Sequence, residues 1–295
     1  MAIGTVARKT RSVETQGNPM LKCAGGKRQI MKGLISNVPD RFGVYYEPFV
    51  GGGALMTSLY NLGLLIRGVV SDINQDLVGL CRIVKRKTAE LAEKVLSLKF
   101  RNSRSDYCMA RNGYNSMDGK FDVGKGSLFL YLNGHCYNGL YRVNSSGEFN
   151  VPFGKYKNPG LPTASDIMLF SQALKNIEIK GTDFGDAVKN SSEGDFVYDP
   201  LSRKPTSFSC GRMSGSIIHQ ILKKLNRRGS SGFSMICRKE KLGLWRATQT
   251  QILSKKYIFF NIIKISARRA INSKAGGGRS SITELLIKNY PNNPC

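Results

Sequence analysis

The chain has 295 residues, of which 41% are hydrophobic and 22% are charged, as in ordinary globular proteins. Forty-five Lys and Arg against 20 Asp and Glu give a net charge of +25, which favours a polyanion such as nucleic acid as the partner. A membrane span, a zinc site and a disulfide framework are not indicated, because long apolar runs and C-x-x-C pairs are absent. We expect reduced thiols and a cytoplasmic protein.

The N-terminal half begins with a basic segment, residues 1–19, that lacks an apolar stretch and predicts a disordered tail rather than a signal peptide. "MLKCAGGKRQIMKGLISNV" then predicts a turn and a short helix. "FGVYYEPFVGGGALMTSLYNLG" predicts a strand, a glycine turn and a helix, and "LIRGVVSDINQDLVGLCRIVKRK" predicts a strand, a turn and another helix. This alternation is typical of a parallel α/β sheet.

The middle of the chain differs in character. Residues 99–125 are polar and basic, with little helical or strand pattern. "LYRVNSSGEFNVPFGKYKNPG" alternates around a turn at 144–147, which predicts a β-hairpin. We therefore predict an inserted module at 76–164, within a unit formed by 20–75 and 165–295.

The α/β pattern returns in the last part of the chain. "ASDIMLFSQALKN" and "SGSIIHQILKKLNRRG" predict helices, and "IEIKGTDF" and "GDFVYD" predict strands. "KYIFFNIIKISARRAINS" and "ITELLIKNYP" predict two late strands.

The most informative short segment is "EPFVGGG", residues 47–53. After a strand, Gly51 and Gly53 allow a tight turn and a close approach of the backbone to a ligand. Nineteen residues after Gly53, Asp72 ends the next predicted strand, where a carboxylate can accept hydrogen bonds from both ribose hydroxyls of an adenosine-containing cofactor. The spacing matches neither a P-loop nor the NAD fingerprint. His135 and His219 have no partner at metal-ligand spacing, so no metal is predicted.

Five segments together resemble the Dam-type DNA adenine methyltransferases. They are "KCAGGK", "EPFVGGGAL", "SDINQDL", "FLYLNGHCYNGLYRVNSSGEFNVPFGKYKNP" and "RRAINSKAGGGRSSITELLIKNY". The resemblance spans residues 20 to 291. It implies an α/β fold with a Rossmann-like sheet that binds S-adenosylmethionine, and a mainly helical target-recognition domain with a β-hairpin. It also implies a single subunit that methylates N6 of a flipped adenine in double-stranded DNA, usually in GATC.

The resemblance also implies roles for individual residues. The cofactor would be bound by residues of the N-terminal motif, the glycine turn and two strand ends: Cys23, Lys27, Glu47, Phe49, Gly51, Gly53, Asp72 and Asp199. Asp199 and Pro200 would supply the acceptors for the amine of the target base. The DNA-binding residues would be Asn133, Gly134, Asn138, Arg142, Lys155 and Lys157, with further phosphate contacts from Lys224, Arg268, Arg269 and Lys274.

The sequence departs from the family pattern at the catalytic strand end. The family reads Asp-Pro-Pro-Tyr-x-Pro-Leu-Ser, whereas this chain reads Asp199-Pro200-Leu201-Ser202. The loss of about four residues removes roughly 13–14 Å of extended chain, and active sites need placement within about half an ångström. We therefore expect weakened chemistry.

Three further departures occur in the motifs. Cys23 replaces a tryptophan, Gly134 an arginine that reads guanine, and Cys136 a glycine. Two interpretations beside an active GATC enzyme stay open: an impaired relative that binds DNA and perhaps cofactor without methylating, and a diverged enzyme of altered specificity. An RNA methyltransferase is disfavoured because the central segment matches the reader of duplex DNA.

Overall fold

The computed structural model describes residues 20–22, 30–192 and 194–199 with their side chains, and the backbone of three further strands at 233–238, 261–268 and 281–288. The predicted N-terminal tail and the helix predicted at 214–229 lie outside the described residues. The predicted central module, 76–164, lies wholly within them.

A single sheet organises the described residues. Its strands are β1 Tyr45–Glu47, β2 Gly68–Ser71, β3 Ile177–Lys180, β4 Phe196–Asp199, β5 Phe233–Arg238, β6 Asn261–Arg268 and β7 Ser281–Lys288. The strand order is β3-β2-β1-β4-β5-β7-β6. Neighbouring strands from β3 through β5 are parallel, and β7 is antiparallel to both β5 and β6. The predicted α/β sheet and its two late strands are confirmed.

Helices follow the strands, as the alternating pattern predicts. They are α1 Met31–Ile35, α2 Ala54–Asn61, α3 Gln75–Arg86, α4 Thr88–Leu96, α5 Arg104–Asn115, α6 Val123–His135, α7 Ala164–Ala173 and α8 Phe184–Ala187. Helix α7 begins with a capping box, in which the Thr163 side chain and the Asp166 carboxylate each accept from the other residue's backbone amide. The short helix predicted after the first turn is α1.

The expectation that residues 99–125 lack helical structure is wrong. Helix α5 occupies residues 104–115 of this stretch, and Ser103 caps it by accepting from the Asp106 amide at 3.1 Å. Only Tyr107, Ala110 and Tyr114 of this helix are buried. Three buried positions at a spacing of three and four residues suffice to fix a helix on a core, although the rest of its sequence is polar.

The predicted hairpin is present but short. Val143 and Phe149 form an isolated antiparallel bridge, and Asn144 closes the turn because its amide donates to the Glu148 carbonyl at 2.9 Å. A second bridge, Cys136 to Phe153, ties the hairpin to the end of α6.

The central module shares its core with the sheet. One buried cluster contains Tyr45 and Phe196 from the strands, Leu80 from α3, and Leu130 and Tyr107 from the module. Residues 72–176 connect β2 to β3, so the module is carried by one crossover of the sheet. The predicted boundaries at 75/76 and 164/165 stay a prediction.

Candidate functional site

The strand order places four strand ends together. Strands β1, β2 and β3 are added to the sheet in one direction and β4 and β5 in the other, so the strand order reverses between β1 and β4. These strands are parallel, and the carboxyl ends of β1, β2, β3 and β4 lie along one edge. In open parallel sheets, ligands bind outside the carboxyl ends of the strands at such a reversal.

The glycine turn follows β1 at this edge. Gly51 and Gly53 have φ values of +49° and +60°, which favour glycine. A Cβ on Gly53 would also lie 2.5 Å from the Phe170 ring. The turn is joined to β2 because the Val50 amide donates to the Ser71 carbonyl at 3.0 Å. Gly51 and Gly53 therefore shape the predicted tight turn, and its binding of a ligand stays a prediction.

Glu47 lies beneath the turn. Its side chain is buried and accepts a hydrogen bond of 2.9 Å from the Tyr45 hydroxyl. Burial raises the pKa of Glu47 to about 8, and the hydrogen bond from Tyr45 opposes that rise. The side chain supports the base of the turn. Its predicted contact with cofactor stays a prediction.

Asp72 directly follows β2 and is fully buried. Its Oδ1 accepts from the Asn74 amide at 3.0 Å, whereas its buried Oδ2 has no partner among the described residues. Burial raises the pKa of Asp72 to about 7, and the backbone amides of Asn74, Gly51 and Ile73 oppose the rise. A buried carboxylate oxygen without a donor is unfavourable unless a ligand supplies one.

Asp199 repeats this situation at the end of β4. It is 1% exposed, its Oδ1 has no partner among the described residues, and burial raises its pKa to about 8. Pro200 and the shortened loop lie outside the described residues. Strands β2 and β4 both flank β1, so the two carboxylates stand on either side of the glycine turn.

Two more buried polar atoms at this edge lack partners in the described part of the chain, namely Asn74 Nδ2 and Thr182 Oγ1. Thr182 follows β3, and Asn74 follows β2. The edge therefore presents donors and acceptors from three strand ends, and a polar ligand with several hydroxyl or amino groups would satisfy them.

Sequence reasoning missed residues at two of these strand ends. Ile73 is 46% exposed, although it is apolar and next to the buried Asp72. Phe184, which follows β3, stacks on Phe49 with ring centroids 5.9 Å apart. One feature of the sequence could have indicated the end of β3 as part of the site: Asp183 comes shortly after β3, as Asp72 comes after β2. Asp183 caps α8 by accepting from the Asp186 amide at 3.0 Å.

The segment that precedes the N-terminal motif docks on the central module. The Lys22 amide donates to Asn133 Oδ1, and Asn133 Nδ2 donates to the Lys22 carbonyl, both at 2.8 Å. Gly139 is needed beside this contact, because a Cβ there would lie 2.3 Å from the Lys22 carbonyl oxygen. Cys23 and Lys27 themselves lie outside the described residues.

The structure does not bring Asn133 and Gly134 to the surface. Asn133 is 5% exposed, with its amide bonded to Lys22. Gly134 is buried in α6, where a Cβ would lie 2.8 Å from the Gly160 carbonyl oxygen. The missing side chain at Gly134 thus has a packing reason in this chain. The predicted DNA contacts of both residues stay predictions.

The other predicted DNA-binding residues are more accessible. Arg142, Lys155 and Lys157 are exposed, and Asn138 is partly exposed. The Asn138 amide donates to the Tyr156 hydroxyl at 2.7 Å, and Lys22 Nζ lies 3.3 Å from the centre of the Tyr156 ring. Of the remaining basic candidates, Arg268 ends β6, and Lys224, Arg269 and Lys274 lie outside the described residues.

Three observations concern membranes and metals. No helix among the described residues is long and apolar enough to cross a membrane. Within the same residues, no three His, Cys, Asp or Glu side chains come together as a metal-binding group. His135 is buried, with Nδ1 2.9 Å from the Tyr131 carbonyl oxygen, and burial lowers its pKa. His219 lies outside the described residues.

Comparison with known proteins identifies the family. Residues 24–271 match the family described as D12 class N6 adenine-specific DNA methyltransferase. The chain belongs to this family. It is 35% identical to the type II methyltransferase M.MjaIII of Methanocaldococcus jannaschii, over 92% of this chain and 99% of that protein. It is 32% identical to the type II methyltransferase M1.LlaDCHI of Lactococcus lactis subsp. cremoris, over 93% and 96%. It is 30% identical to the DNA adenine methylase of Escherichia coli K12, over 92% and 95%.

Membership of this methyltransferase family makes S-adenosylmethionine the cofactor. The residues at the sheet edge fit it. The unpartnered Asp72 Oδ2 suits a ribose hydroxyl, and the glycine turn leaves backbone free for close approach.

Proposed function

We propose that the chain transfers a methyl group from S-adenosylmethionine to N6 of an adenine in a short duplex DNA site, with GATC as the first candidate site. One observation carries the proposal: two buried carboxylates flank the glycine turn at the sheet edge, Asp72 and Asp199, each with an oxygen that has no partner in the described part of the chain. One carboxylate suits the cofactor and the other suits the base.

Asp72 would bind the ribose of the cofactor. Its Oδ2 accepts one hydroxyl, and the cofactor's adenine ring covers the exposed Ile73 beside it. Ribose hydroxyls favour the ionised carboxyl, so bound cofactor lowers the raised pKa of Asp72. The residues assigned to the rest of the cofactor are those of the turn and the N-terminal motif: Cys23, Lys27, Glu47, Phe49, Gly51 and Gly53.

Asp199 would orient the adenine amine. Bound cofactor supplies an electrophilic methyl group on sulfur. Asp199 Oδ1 would accept one N–H of the amine and the Pro200 carbonyl the other, so that the nitrogen lone pair would be directed at the methyl group. As the N–C bond forms, the C–S bond would break to leave S-adenosylhomocysteine, and the methylated amine would release one proton to solvent. Since Asp199 is 1% exposed, a base inside a duplex cannot reach it, and the adenine has to leave the helix.

DNA would lie against the exposed basic residues of the central module. Lys155, Lys157 and Asn138 suit phosphates, which position a protein without reading sequence. Arg142 is the described side chain best suited to read a guanine, because it is exposed on the hairpin and its guanidinium can donate twice to one base. Asn133 and Gly134 would act beneath this surface.

The shortened Asp199 loop is the one feature that favours the impaired alternative. Against this alternative, the similarity to the three methyltransferases named above extends over more than nine-tenths of this chain. We place the reaction in the cytoplasm, on bacterial or phage DNA, carried out by one subunit. The net charge of +25 supports a DNA partner.

The test is methyl incorporation from labelled S-adenosylmethionine into matched 20-base-pair duplexes, one with GATC and one with the same bases permuted to GTAC. We expect incorporation into the GATC duplex alone. Incorporation into both would refute the specificity. Calorimetric binding of cofactor and DNA without incorporation into either duplex, or into DNA of mixed sequence, would establish the impaired alternative, whereas incorporation into the mixed DNA alone would show a different target site.

A further inference from the structure

Asp76 joins the cofactor edge of the sheet to the central module. It lies in the first turn of α3, four residues after Asp72. Its Oδ2 accepts hydrogen bonds from the hydroxyls of Tyr114 and Tyr141, both at 2.6 Å. These lengths are at the short end of hydrogen bonds from hydroxyl donors. Tyr114 belongs to α5, whereas Tyr141 directly precedes Arg142 on the hairpin.

Backbone and side-chain hydrogen bonds continue from Asp76 to Asp72. Asn74 Oδ1 accepts from the Asp76 amide at 3.1 Å and from the Leu77 amide at 3.3 Å. The Asn74 amide in turn donates to Asp72 Oδ1 at 3.0 Å. The carboxyl group assigned to the ribose is therefore three hydrogen bonds from the Tyr141 hydroxyl.

The far end of this path is fixed to the hairpin. The Tyr141 ring stacks on Phe129 and packs against Phe149, with centroid distances of 5.7 Å to each. Arg142 Nε donates to Asn150 Oδ1 at 2.7 Å, and its Nη2 donates to the Asn150 carbonyl at 2.9 Å. Asn150 on the opposite strand thus fixes the Arg142 side chain, and the Tyr141 ring packs at the start of the hairpin.

We propose that Asp76 is a positioning residue that, through Tyr141, couples cofactor binding at Asp72 to DNA binding at the Arg142 hairpin. A ligand that fixes the Asp72–Asn74 turn also fixes Asp76, and Asp76 fixes the hairpin against which DNA binds. Such coupling is reciprocal, so DNA strengthens cofactor binding by the same factor as cofactor strengthens DNA binding. This inference rests on the proposed function.

The chain offers a matched pair of variants. Tyr141→Phe and Tyr114→Phe each remove one 2.6 Å hydrogen bond to the same oxygen and keep the ring. Tyr141 belongs to the hairpin, whereas Tyr114 belongs to α5 and touches the hairpin only by its ring, whose edge contact with Phe149 at 6.0 Å the Phe variant keeps. A merely structural network would respond alike to both changes.

The measurement is the dissociation constant of S-adenosylhomocysteine, by calorimetry, with and without a saturating GATC duplex. For the unaltered chain we expect DNA to tighten binding at least about fivefold, the lower end of usual coupling. Tyr141→Phe should reduce this ratio to within about twofold of unity, and Tyr114→Phe should leave it unchanged. Asp76→Asn, which keeps the side-chain shape, should reduce it as Tyr141→Phe does.

Two results would overturn the inference. The first is an unaltered chain that shows no coupling, and the second is an equal response of the two tyrosine variants. Methyl transfer by the unaltered chain in either case would leave the proposed function standing. Absence of both methyl transfer and DNA binding would remove the proposed function and this inference together. Thermal unfolding of each variant shows that a changed ratio comes from folded protein.

Discussion

The sheet edge and the central module differ in whether their buried polar groups have hydrogen-bond partners. At the edge, Asp72 and Asp199 are buried, and each has an oxygen without a partner among the described residues. In the module, Tyr107 donates to the Val151 carbonyl at 2.7 Å, and Asn115 exchanges two hydrogen bonds with the Phe149 backbone. A region whose buried polarity is satisfied by its own chain is a rigid frame. Buried polar groups that lack a hydrogen-bond partner in their own chain are suited to bind a ligand that supplies one.

The two regions also differ in the sign and the burial of their charged side chains. The module presents its basic side chains on the outside, whereas the edge encloses acids whose pKa values burial raises to about 7 and about 8. The difference indicates two kinds of binding: a polyanion held from outside and a small polar ligand enclosed within. If this is so, substitutions in one region should change cofactor binding or methyl transfer, and substitutions in the other should change DNA binding.

The largest effect is expected at Asp199. Asp199→Asn keeps an acceptor but halves the charge-assisted interaction with the amine, so methyl transfer should fall about 10²–10³-fold. Cofactor affinity, measured by calorimetry, should change less than about threefold, because Asp72 remains. A loss of cofactor binding equal to the loss of transfer would contradict the division of labour between the two acids.

Asp72→Ala should act on binding. Loss of a charged acceptor for the ribose should weaken cofactor affinity at least about 100-fold, while affinity for DNA alone should be little altered. Calorimetry with S-adenosylhomocysteine and fluorescence anisotropy with a labelled duplex measure the two affinities separately. Unchanged cofactor affinity would refute the ribose role.

The acids at these strand ends could be predicted from the sequence, whereas Asp76 could not. Asp72 and Asp199 each follow an apolar run, and such runs identify buried strands and hence the shared edge. The partners of Asp76 lie 38 and 65 residues away, and no local pattern links them. Helix α5 was missed because three buried residues carry it, and the burial of Gly134 against Gly160 could not be predicted because it depends on tertiary packing.

Substitution of exposed lysines tests whether DNA binds to the outer surface of the central module. Lys155→Gln with Lys157→Gln should lower DNA affinity and reduce the slope of log affinity against log salt by about two, one for each phosphate contact. Lys175→Gln with Lys189→Gln removes the same charge from exposed positions outside the central module and serves as control. Equal slopes for the two double variants would show that only net charge matters.

The smallest effect concerns stability. A carboxyl group whose pKa is raised by folding stabilises the fold when protonated, below about pH 4, and this contribution is lost as pH rises through the folded-state value. For Asp72 that value is about 7. Asp72→Asn should therefore raise the melting temperature at pH 8 by a few degrees and have little effect at pH 4. Calorimetric scans at both pH values measure it, and equal shifts at both would contradict the raised pKa.

The central claim is that the buried acids of the sheet edge direct methyl transfer to adenine N6. Its most direct test is mass spectrometry of nucleosides from a GATC duplex incubated with S-adenosylmethionine and either the unaltered chain or Asp199→Asn. We expect N6-methyladenine as the methylated nucleoside with the unaltered chain, and a reduction of at least about 100-fold with the variant. Methylation of another base, or an equal yield from both proteins, would contradict it.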